Sequence, residues 1–142
     1  MKKSLVGFSL IEVLVFTTVL GLFFVAAMTV TTFNLKNMKI QEHKILATRY
    51  AEEGVEWLKQ EKEDDWQIFI AHSAGNYCLN SLGWNSACAP PNDYILNAFF
   101  KRELKIIKPP TVDQVEGTVT VYWKEGIDDY NVTIKTVFRI LE

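Results

Sequence analysis

A chain of 142 residues with 49% hydrophobic and 23% charged residues has room for one modest domain. Its formal net charge of −2 creates no global field that would single out nucleic acid or an anionic surface as a partner. Many of the apolar residues fall in the first quarter of the chain, so only the remainder can build a water-facing core.

From Phe8 to Phe33 there are 26 consecutive residues with a single ionisable side chain, Glu12. At about 1.5 Å per residue this run exceeds a hydrocarbon core of roughly 30 Å, so the expectation is a membrane helix. Lys2 and Lys3 precede it as in a secretory signal, and Val25-Ala26-Ala27 resembles an ordinary cleavage site. An ordinary signal core, however, is only about 7 to 15 apolar residues long. Nor does an ordinary signal explain Glu12: an acid at the centre of a membrane helix costs roughly 2.5 to 3.5 kcal/mol on insertion scales, so a partner is expected. The apolar run holds no cation. A free amine would appear on Phe8 if the chain were cut after Gly7, at i, i+4 spacing from Glu12.

The stretch "GFSLIEVLV" after a short lysine-bearing leader resembles the prepilin signature of type IV pilins and type II secretion pseudopilins. The resemblance implies that a membrane prepilin peptidase cleaves between Gly7 and Phe8 and methylates the new amine. It further implies that Glu12 pairs with the N-terminal amine of a neighbouring subunit, a pairing that sets register more than it adds stability. Many major pilins carry a Gly in mid-helix and a Pro two turns on. Gly21 fits the first, whereas Thr29 stands in the place of the second, so the expectation is a minor subunit. Lys36, Lys39, Lys44 and Arg49 follow the apolar run, and by the positive-inside count alone they would put the C-terminal part in the cytoplasm. The processing implied by the resemblance requires the leader inside instead.

Beyond Phe33 the helical pattern continues as an amphipathic one. Ala47, Tyr50, Ala51, Gly54, Val55 and Leu58 fall on one stripe, predicting a single helix to about Lys62, with small residues where a sheet can approach closely. The "TVTTF" stretch, Thr29 to Phe33, is a poor helix former outside a membrane. After "KEDDW" an irregular connection runs to Asn92, with a helical turn at Gln67 to His72 and a short strand at Tyr77 to Leu79. Cys78 and Cys88 flank a Gly83-Trp84-Asn85 turn, which suggests a disulfide; two separate buried thiols are the other reading.

The C-terminal third changes to a period of two. Phe100, Arg102, Leu104 and Ile106 alternate with Lys101, Glu103 and Lys105; Val119, Val121 and Trp123 share a face, as do Val132, Ile134 and Phe138. Pro109 and Pro110 break the first strand from the second, and "EGIDD" turns the second into the third as a hairpin. The expected fold is α+β and pilin-like: a long N-terminal helix, membrane-spanning in its first half, packed in its second half against a small antiparallel sheet of three or four strands. The expected organisation is a leader at 1–7, a membrane and filament-core helix at 8–33, its amphipathic continuation at 34–62, and an extracytoplasmic loop and sheet region at 63–142. "AEEGVEWLK" resembles, more loosely, the corresponding helix of minor pilins of the PilV type.

No phosphate loop, zinc motif or nucleophile elbow occurs, and His43 and His72 lie on different predicted elements, so neither an enzyme nor a metal or other cofactor is expected. Two weaker patterns remain. Glu125, Asp128 and Asp129 could hold calcium, although a solvated turn explains them too. Lys101, Arg102, Lys105 and Lys108 with Phe99 and Phe100 could form a basic-aromatic DNA surface, but Glu103 interrupts it and nucleic acid is not expected as a partner. "DYNVT", Asp129 to Thr133, meets the acceptor pattern for bacterial N-glycosylation. The partners expected are prepilin peptidase, other pilin-like subunits and an inner-membrane assembly platform. The expected location is the inner membrane, then a filament. The alternatives are a subunit of a secretion or competence pseudopilus, and a membrane-anchored extracytoplasmic binding domain that never assembles.

Overall fold

A computed structural model of the chain describes residues 9–85, 88, 99–109 and 114–139. The described chain runs as a helix α1 (Leu10–Asp64), a short helix α2 (Trp66–Ala71), and strands β1 (Asn76–Cys78), β2 (Phe100–Ile107), β3 (Gln114–Glu125) and β4 (Asp128–Arg139). It divides into two units at Ile40 and Gln41.

In the first unit every described residue from Ser9 to Lys39 is exposed, and all of them from Leu10 on are helical. Its apolar window has a mean hydropathy of 2.4, enough by length and composition to cross a membrane. The Thr29-to-Phe33 stretch, a weak helix former in water, lies inside the unbroken helix. The hydroxyls of Thr29, Thr31 and Thr32 donate to the carbonyls of Val25, Ala27 and Met28 at 2.9 to 3.1 Å. Thr17 and Thr18 do the same to Leu14 and Val15 at 3.0 and 2.8 Å. These hydroxyls are therefore satisfied within the helix and add no unmet polar group to an apolar surface.

In the second unit, the sheet is antiparallel throughout in the order β1-β2-β3-β4. Helix α1 lays Ala47, Ala51, Gly54, Val55 and Leu58 on it, all buried. Gly54 lets the sheet approach closely at this crossing: a Cβ there would come within 3.1 Å of Val119 Cγ1 and 3.3 Å of Arg102 Cδ, so those side chains would have to give way. The sheet contributes Phe100, Leu104, Ile106, Val115, Val119, Val121, Trp123 and Phe138 to the core. The helix ends at Asp64, two residues past the expected Lys62. Asp65 then caps α2, its carboxylate accepting from the N–H groups of Gln67 and Ile68 at 2.8 and 3.0 Å. The first strand sits one residue earlier than the expected Tyr77 to Leu79: it spans Asn76–Cys78, and Leu79 is a buried core residue beyond its end. Strands β3 and β4 are joined by Gly126 and Ile127 alone, Glu125 pairing directly with Asp128. Gly126 has φ of +65°, as the first central residue of a two-residue hairpin turn demands.

Candidate assembly helix and the surfaces around it

Glu12 stands in the first turn of α1, exposed, where an acid suits the positive end of the helix dipole. The carbonyl of Ser9 accepts the first helical N–H groups, those of Glu12 at 3.0 Å and Val13 at 3.3 Å. Among the described residues no cation lies within ion-pair distance of Glu12. The cleavage pair expected from the sequence, Gly7 and Phe8, lies outside the described residues. The helix that follows exposes Leu10, Ile11, Leu14, Phe16, Leu20, Phe23 and many further large apolar side chains. Such a surface is stable only when lipid or other apolar helices cover it.

Cys78 and Cys88 form a disulfide. Beside it the backbone of Arg102 is tied down on both sides: its N–H donates to Asn80 Oδ1 at 3.1 Å, and its carbonyl accepts from Leu79 at 3.0 Å.

Arg102 is the buried charge among the described residues, 2% exposed. Its Nε donates to the Leu79 carbonyl at 2.9 Å, and its Nη1 donates to the Tyr50 carbonyl and to Glu53 Oε2, both at 2.7 Å. The guanidinium thus joins α1 to the sheet. It also corrects the basic-aromatic set: Arg102 and Phe100 point into the core, and Lys101 is held by Glu103 at 3.0 Å and lies 5.3 Å over the Tyr122 ring. Lys101, Arg102, Lys105, Lys108 and the two phenylalanines do not share one surface.

At the Gln41 end of the domain, His43 Nδ1 lies 3.0 Å from Glu125 Oε2, and its ring packs against Phe99 at 4.5 Å. Asp129 pairs with Lys124 at 3.2 Å. Glu125 and Asp129 therefore turn to separate partners, and among the described residues no group of three His, Cys, Asp or Glu side chains is placed to hold a metal ion. The sequence signal for the His43–Glu125 contact is absent, since the two are 82 positions apart. His72 stacks on Trp84 at 4.1 Å, and Trp84 Nε1 donates to Glu61 at 2.7 Å, closing the distal end of the helix against the turn after β1. No protein-family model matches the chain, and neither a curated protein nor a solved structure does.

Proposed function

We propose that the chain is a structural subunit, of the minor class, of a type IV pilus-like filament. In this reading a prepilin peptidase removes residues 1–7, and the mature protein begins at an N-methylated Phe8. The N-terminal helix holds it in the inner membrane, with the sheet domain extracytoplasmic, until an assembly platform adds it to other pilin-like subunits. The observation that carries the reading is Glu12: an acid in the first turn of a helix whose first half is apolar and exposed, with no cation within ion-pair distance among the described residues. A plain membrane anchor has no use for such a group, whereas a neighbour's N-terminal amine gives it a partner at the moment both leave lipid. The same parts would serve a secretion or competence pseudopilus.

Peptide mass spectrometry of the mature N-terminus tests the proposal. N-methylated Phe8 is the expected result; a chain beginning at Met28 would make the segment an ordinary secretion signal, and an intact Met1 with the protein confined to membranes would make the protein an anchored domain.

A further inference from the structure

The tip of the β3–β4 hairpin is built against the usual chemistry of tight turns. A two-residue loop is ordinarily polar, yet beside Gly126 it carries Ile127, 98% exposed, and Asp128, the first residue of β4, is exposed next to it. Ile127 adds nothing to its own core. Asp129 is paired to Lys124 and Glu125 to His43, which leaves Asp128 as the acid at the tip without an ion-pair partner among the described residues.

The chain displays the complement of this tip elsewhere. Just past the apolar run of α1, Leu35 and Met38 are 57% and 67% exposed, and Lys36 and Lys39 between and beside them are exposed with no ion-pair partner among the described residues. Glu42, one turn on, is the nearest acid in the helix. One surface offers an apolar residue and an acid, the other two apolar residues and two cations.

We propose that in the filament the hairpin tip of one subunit docks on helix residues 35–39 of a neighbouring copy, with Ile127 against Leu35 and Met38 and Asp128 facing Lys36 and Lys39. The inference rests on the filament reading above and adds the contact and its partner. Within a filament the contact is used head to tail: each copy places its tip on one neighbour and offers its helix to the next, and where the rotation does not close such contacts propagate into an open, polar assembly. The chain, although minor in amount, then sits in runs of adjacent copies.

The test uses the full chain as the sole copy, carrying Ile127→Cys with Met38→Cys. Oxidation of sheared filaments should give a ladder on a non-reducing gel, with the 127–38 cross-linked peptide found by mass spectrometry. In membranes before assembly, a membrane-impermeant maleimide should label Ile127→Cys. Asp128→Lys should lower filament content at least about tenfold, as should Lys36→Glu with Lys39→Glu, and the three changes together should restore it. Native-like tryptophan emission in each variant certifies the fold. Filaments at wild-type level without the ladder, or with Asp128→Lys fully assembled, overturn this contact and leave the filament reading standing. Protection of Ile127→Cys in the membrane fraction would make lipid the occupant, and a cross-link to a different subunit would exclude the run of copies. Absence of the wild-type chain from sheared filaments overturns both proposals.

Discussion

Residues Leu10–Phe33 and Gln41–Asp64 belong to the same helix, yet they reach it by different physics. The first stretch is apolar on all sides, buries nothing within the chain, and bonds its threonine hydroxyls back to its own carbonyls. The second is apolar on one stripe only and owes its stability to the sheet that covers Ala47, Ala51, Val55 and Leu58. In the first stretch the surroundings must supply the apolar phase; in the second the protein brings its own. A substitution should therefore register in the folding of the chain or in its environment, depending on which side of Ile40 it falls.

The four tryptophans, Trp57, Trp66, Trp84 and Trp123, all lie after Gln41, so the emission of the detergent-solubilised full chain reports on the sheet domain alone. The largest effect is expected for Leu58→Ala, which empties a fully buried site and should cost about 3 to 5 kcal/mol in denaturant unfolding; Leu20→Ala, in the exposed apolar run, should move the same curve by less than about 0.5 kcal/mol. Equal shifts for the two would mean that both stretches of the helix contribute alike to folding of the sheet domain. Next is reduction of Cys78–Cys88, which opens a loop of sequence separation 10 and should remove roughly 2 to 3 kcal/mol by the chain-entropy estimate. A smaller loss, about 1 kcal/mol, is expected from His43→Ala, which frees Glu125 and uncovers the ring of Phe99. If that variant unfolds like wild type, the His43–Glu125 contact contributes nothing to holding the hairpin on the helix. The smallest shift in this assay belongs to Glu12→Ala, for which none is expected. Its consequence should appear only when membrane and sheared-filament fractions are compared, as loss from the filament with processing intact. Incorporation at wild-type level would remove Glu12 from the assembly contact.

Much of this division is legible in the sequence because it is periodic. An unbroken apolar run, a stripe at 3.6 residues and alternation at 2.0 residues are local signals, and they place α1, β2, β3 and β4 and the hairpin between the last two. Alternation even puts Arg102 on the inward row, between Phe100 and Leu104. It cannot say what makes a buried guanidinium tolerable, because the answer is spread over Tyr50 and Glu53 on the helix and Leu79 after β1. Glu53, 52% exposed at its side chain, reads in sequence as one more solvated helix acid. The strand β1 is displaced by one residue for a related reason: three residues carry too little pattern to fix a register, which pairing with Leu104 and Glu103 on β2 decides. At the proposed assembly site, Glu12 stands out in the sequence because a charge in an apolar run is anomalous, while the partner proposed for it belongs to another molecule.

The close approach at Gly54 also orders events in time. The stripe on α1 is made first, but the atoms that cover it come from Leu79, Arg102 and Val119, the last of them 65 positions downstream. By contrast β3 and β4 are joined by a two-residue loop and can zip within microseconds of being complete. During synthesis, the earliest segment of the domain is thus the last to be sheltered: the helix stripe around Gly54 stays open until Val119, in the first half of β3, has emerged. Chains truncated between the end of α1 and Val119 should accordingly leave this stripe uncovered and be cut by protease more readily than the full chain.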